Sequence, residues 1–73
     1  MSNLPIPPLS TLSERQQDVV EAMVVTGGTD YEIGAKLGIS KFAVSKLLRL
    51  CEKRLELKGR VHLTRWACRV GLA

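Results

Sequence analysis

Aromatic side chains are nearly missing from this chain of 73 residues, which holds one Phe, one Tyr and one Trp. Its core must therefore be aliphatic, and at this length it is a single small core near the lower limit of independent stability. There is one histidine, His62, and the two cysteines, Cys51 and Cys68, lie far apart with no CxxC spacing. A structural zinc needs four such ligands, so no metal site is expected. The thiols read as buried and free in a reducing compartment, with a disulfide as the alternative. No paired carboxylates, Ser/His/Asp or Cys/His set or phosphate-cradling loop stands out, so neither catalysis nor a cofactor is expected. No apolar run approaches the roughly 18 residues of a membrane span, and the N-terminus lacks the basic and apolar regions of a signal peptide. A soluble, cytoplasmic protein without membrane contact is the expectation. Nothing alternates convincingly at period two, which leaves an all-α chain.

Acid is the other scarce commodity, but only in the second half. Residues 1–39 carry Arg15 and Lys36 against Glu14, Asp18, Glu21, Asp30 and Glu32, a net −3. Residues 40–73 carry nine Lys or Arg against Glu52 and Glu56, a net +7. A basic half of this density points to a polyanion, nucleic acid first, although a solvated basic surface has the same composition.

What is present is helical punctuation. "MSNLPIPPLS" has three prolines and no charge, so residues 1–11 read as an extended or disordered arm, a tail or a packing strand. Without Arg or Lys it is a poor minor-groove contact. Residues 12–73 read as the folded domain. Ser13 with Gln16 makes a capping box for a first helix, with Leu12 as a hydrophobic staple; Val19, Val20, Met23 and Val24 follow at helical spacing, and Gly27–Gly28 ends it. Thr29 with Glu32 starts a short second helix carrying Ile33 and Leu37, and Gly38 ends that one. Ser40 caps a third helix, residues 40–56, and "RVHLTRWACRVGLA" supplies a fourth with Leu63, Ala67 and Val70 inward. Short helix, glycine-containing turn, longer helix is the helix-turn-helix pattern, and a small residue at Gly34 suits the close crossing of its two axes.

Wound at 100° per residue, the third helix separates into two faces. Val44, Leu47, Leu48, Cys51 and Leu55 share an apolar arc, while Phe42, Ser45, Lys46, Arg49 and Lys53 lie opposite with Glu56 among them, and Lys41 and Glu52 fall at the edge.

"LSERQQDVV", "GGTDYEIGAKLGIS", "AVSKLLRLCEKRLELKGR" and the closing "RVGL" together resemble the DNA-binding domain of LuxR/FixJ/GerE-type bacterial transcription regulators. The resemblance covers residues 12–72 without a gap. It implies a four-helix fold whose third helix reads double-stranded DNA and whose fourth serves dimerisation. Members of the family usually carry a sensing domain upstream. Here about ten residues precede the match, so regulation is expected from expression level, a partner or oligomerisation.

Carried over by position, the resemblance puts base-edge contacts at Ser45, Lys46 and Arg49. Arg49 is the strongest, since a guanidinium meets guanine O6 and N7 bidentately. Lys41, Lys53, Arg54 and Lys58 suit phosphates. Phe42 meets a thymine methyl or sugar, packs on a partner, or belongs to the core. Some positions depart from the family pattern: Ala43 stands where Thr is favoured, Leu47 where His is usual, Gln16 where Glu is, and Tyr31 where Lys is common. The phosphate grip is weaker for it. Arg60 is expected to pair with Asp18 or another first-helix acid. Trp66 is either the edge of the core or an exposed anchor which, with Val70 and Leu72, would join two copies in a homodimer. Leu47, Phe42 and Trp66 also keep open a second reading, a protein-interaction module acting on a full-length relative or RNA polymerase.

Overall fold

A computed structural model describes residues 6–72. Along these residues a 3-10 turn, Leu9–Thr11, precedes four helices: α1 (Glu14–Thr26), α2 (Asp30–Leu37), α3 (Lys41–Leu55) and α4 (Arg60–Arg69). No strand occurs among the described residues, and the all-α expectation holds.

The helix starts follow local chemistry. Ser13 Oγ accepts from Gln16 N–H at 3.2 Å while Gln16 Oε1 accepts from Ser13 N–H at 2.9 Å, a reciprocal capping box. Thr29 and Glu32 repeat it on α2, and Ser40 Oγ accepts from Ala43 N–H at 3.1 Å on α3. Each cap satisfies backbone donors that would otherwise lack a partner.

The ends of α2, α3 and α4 are Schellman turns. Ile39 N–H donates to Gly34 O at 2.9 Å, Leu57 N–H to Glu52 O at 2.8 Å and Leu72 N–H to Ala67 O at 2.9 Å. Each needs a left-handed residue just before the donor. Gly38 and Gly71 meet that need freely, but on α3 the residue is Glu56 at φ 57°. A side chain there costs about 1–2 kcal/mol. Glu56→Gly should therefore stabilise the domain by about 0.5–1 kcal/mol after the entropy of the unfolded glycine is counted. A thermal melt checks it; an unchanged midpoint would mean that Glu56 is unstrained.

The core gathers Leu12, Val19, Val20, Ala22 and Met23 from the α1 region, Ile33 from α2, Val44, Leu48, Cys51 and Leu55 from α3, and Leu63, Trp66 and Ala67 from α4. It is aliphatic apart from one tryptophan. Burying such side chains contributes about 1.5–3 kcal/mol each for the larger ones. Cys51 is part of it: its thiol donates to Gln16 O at 3.8 Å, and burial, helped by the Glu52 charge, pushes its pKa up to about 11. The neutral thiol is the folded form, so this contribution is complete below the unfolded pKa and disappears as pH rises through 11. Cys68 is free but exposed, correcting the expectation of two buried thiols.

Two open readings are decided and one further expectation is corrected. Trp66 is core, only 3% exposed, and its indole N–H donates to Pro7 O at 2.7 Å. It is no exposed anchor, and Val70 and Leu72, half-buried, pack against the same core. The arm packs on the domain, one of its two expected forms: Gln17 Nε2 donates to Leu9 O and Leu12 O, and Arg54 Nε to Thr11 O at 2.8 Å. Residues 6–12 are thus a strap across α1, α3 and α4, whereas residues 1–5 of the expected arm lie outside the described residues. Arg60 meets Asp30 of α2 at 2.7 Å, not Asp18. That approach lies off the hydrogen-bond line, so the buried Asp30 Oδ1 has a charge partner but no aligned donor.

Candidate nucleic-acid interface

The crossing of α2 and α3 presents the outer face of α3. At Gly34 the α2 backbone comes so close to the Ile39–Ser40 backbone that a Cβ would overlap the Ile39 carbonyl oxygen. The turn is thereby tight, and Ser40 starts α3 immediately after it.

On α3, Phe42, Lys46, Arg49 and Lys53 are spaced four, three and four apart. At 3.6 residues per turn they occupy about 60° of the helix and run for about 16 Å along it. All four are exposed, Phe42 by 76%, while Val44, Leu48, Cys51 and Leu55 behind them are buried. Phe42 is therefore not core. Lys41 stands beside it, its Nζ 5.4 Å from the ring centroid, within cation–π range. Ser45 is half-buried on the flank of the row. The first turn of α3 has no acid, and its last turn holds Lys53 and Arg54. Within the helix the row itself holds no acid; Glu52 is half-buried to one side and exposed Glu56 caps the C-terminal end.

Other expected contacts fall away from this row. Arg54 lies about 100° round the helix from Lys53, and its Nε is committed to the strap at Thr11. It holds the arm and stands off the row. Lys58 is exposed in the α3–α4 connection, beyond the end of the row. Next to Phe42, a shallow depression of about 480 Å³ is lined by Tyr31, Ala35, Ile39, Ser40 and Lys41. Tyr31, 72% exposed, and Phe42 form its two aromatic rims. Sequence reasoning passed over Tyr31 as a mere departure from the family. Its signal was there: an aromatic three residues before Gly34 is on the α2 face turned toward the start of α3.

The arrangement offers cationic donors at helical spacing and an apolar rim, with no acid–base pair and no cluster of metal-binding side chains among the described residues. No helix there is long and apolar enough to cross a membrane. Comparisons with curated proteins and with solved structures returned no match. The family model of bacterial regulatory proteins, luxR family (GerE), matches residues 10–67, most of the chain. With four helices, a tight α2–α3 turn and an exposed basic α3 face, the chain belongs to the luxR family of DNA-binding, helix-turn-helix transcription regulators.

Proposed function

We propose that the domain is a sequence-specific reader of double-stranded DNA that lays α3 in the major groove. The exposed row Phe42–Lys46–Arg49–Lys53, backed by four buried side chains, carries this reading. A major groove about 12 Å wide admits such a helix. Arg49 and Lys46, at the middle of the row, meet base edges, with Ser45 beside them. Lys41, Lys53 and Lys58 meet phosphates, and Phe42 packs on a sugar or thymine methyl at the rim it shares with Tyr31. Two copies on neighbouring half-sites would double the contact area. The outer face of α4 is the surface through which we expect the copies to meet.

Arg49→Ala should cost about 1–3 kcal/mol on a specific site and relax the base preference there. Lys53→Ala should weaken specific and random duplexes alike. Affinity should also fall with salt at a log–log slope of about −4 for one copy. Fluorescence anisotropy on a selected and a scrambled duplex, at several salt concentrations, reads all three. A flat salt dependence would remove DNA as the ligand of α3, and identical behaviour of the two variants would undo the split between reading and positioning.

A further inference from the structure

A second concave surface, sharing no residue with the α3 row, lies where the strap meets the flank of α4. It is a groove of about 310 Å³, at the small end of the range for small-molecule sites. Its floor is apolar: Trp66, the half-buried Leu57 of the α3–α4 connection, and Ile6 and Pro7 of the strap. Its rim is basic. His62, Arg65 and Arg69 follow one another at intervals of three and four, within about 60° of the helix and over about 10 Å of its length. All three are exposed, and no described Asp or Glu lines the groove. Among the described residues the one ion pair is Arg60–Asp30, so neither rim arginine meets a carboxylate there. Val61 and Cys68, both exposed and at the centre of the outward face of α4, stay outside the groove.

We infer that the groove binds a small amphipathic acid, an alkyl or aryl group carrying one carboxylate or phosphate. Its two sides match the two halves of such a ligand. The apolar body lies on Leu57, Ile6 and Trp66 and leaves water. The anionic end meets Arg65 and Arg69, whose guanidinium groups, about one turn apart, hold its oxygens in charge-assisted hydrogen bonds. His62 adds a ring N–H donor at the other end of the rim. A neutral apolar molecule would leave the arginines without a partner, and an inorganic anion would leave the floor wet. A nucleic-acid backbone presents phosphates but no apolar group for the floor. The chain's own residues 1–5, Met-Ser-Asn-Leu-Pro, contain no acidic side chain. Occupancy has a structural consequence. The ligand touches the strap and α4 together, beside the Trp66–Pro7 hydrogen bond, and the same strap is tied to α3 through Arg54 and Thr11. A bound acid therefore fastens the strap and stabilises the domain by mass action.

The chain carries its own reporter, because its one tryptophan lines the groove. Octanoate titrated into the full chain at low salt, without DNA, should bind saturably with a dissociation constant on the order of 1 mM. It should shift the Trp66 emission and the indole N–H resonance, move amide resonances chiefly at Ile6, Leu57 and along α4, and raise the melting midpoint. Acetate, which lacks the apolar body, and octanol, which lacks the charge, should each bind at least tenfold more weakly. Arg65→Ala with Arg69→Ala should raise the octanoate dissociation constant at least tenfold and leave the ligand-free midpoint near wild type, since both side chains are exposed. Arg65→Lys with Arg69→Lys should recover part of the affinity. Octanol or acetate binding as well as octanoate would overturn the inference. So would an alanine pair that binds like wild type, or shifts spread over the whole chain with loss of the melting transition. A duplex that displaces octanoate would give the rim to DNA phosphates, and a short Glu-rich peptide that binds more tightly would give the groove to a protein partner; either result defeats the small-acid site.

Discussion

Replacing Trp66 by alanine should unfold most of the protein at physiological temperature. The side chain is 3% exposed, and truncating a buried Trp or Phe costs about 3–5 kcal/mol. The hydrogen bond from the indole to Pro7 O disappears with it, at about 1 kcal/mol more. A chain of this length holds about 4–11 kcal/mol in total, so one substitution removes a large part of the native margin. Each kcal/mol moves the melting midpoint of such a domain by about 4–8 °C, and the fall should exceed about 15 °C. Trp66→Phe keeps most of the volume and loses the donor, so it should cost about 1–2 kcal/mol and act chiefly on the strap. Hydrogen exchange at Leu9–Leu12 would quicken in that variant before it does in α1. An alanine variant melting within a few degrees of wild type would return Trp66 to the surface role considered at first.

The contrast between these residues shows what the sequence carries in plain view. N-caps are legible because the hydrogen bonds span three positions, and Ser13, Thr29 and Ser40 each stand where the pattern puts them. The α3 faces are legible because 3.6-residue periodicity places Phe42 opposite Cys51 whatever surrounds them. Trp66 is different. It sits about 60° from Leu63 on the α4 wheel, outside a narrow apolar stripe, and it becomes core because the strap supplies a second wall. Nothing local announces that wall, since the contacts fixing it join residues 8, 43 and 59 positions apart. The partner of Arg60 is hidden for a related reason. Asp18 is on the outward face of α1, and only the packing of α2 brings Asp30 to the start of α4. The prolines do set the backbone of the strap, but the three side chains that hold it come from α1, α3 and α4.

Gly34→Val should be nearly as damaging, through backbone rather than volume in the core. Gly34 is buried in the middle of α2, where glycine is disfavoured by about 1 kcal/mol against alanine. The turn explains its presence: Gly34 O accepts from Ile39 N–H at 2.9 Å, and its Cα faces the Ile39 carbonyl across the crossing. A first carbon there meets backbone, which cannot rotate away as a side-chain tip would. Alanine regains helix propensity while forcing that carbonyl back, so the two effects offset in part. Valine adds two methyls and a stiff χ1 with no further propensity gain. The only relief is to open α2 from α3, at about 3 kcal/mol, the upper range for overpacking. Because the same crossing aims the α3 row, the loss should appear twice: as a lower melting midpoint, and as weaker duplex binding at temperatures where the variant is still folded. Gly38 provides the control. Its φ of +73° strains any side chain, yet no atom lies within 4 Å of its Cβ position. Gly38→Ala should therefore lower stability, and the midpoint with it, by about 1–2 kcal/mol of strain without changing affinity per folded molecule. Equal effects of Gly34→Val and Gly38→Ala on binding would show that the α2–α3 crossing does not orient the basic row.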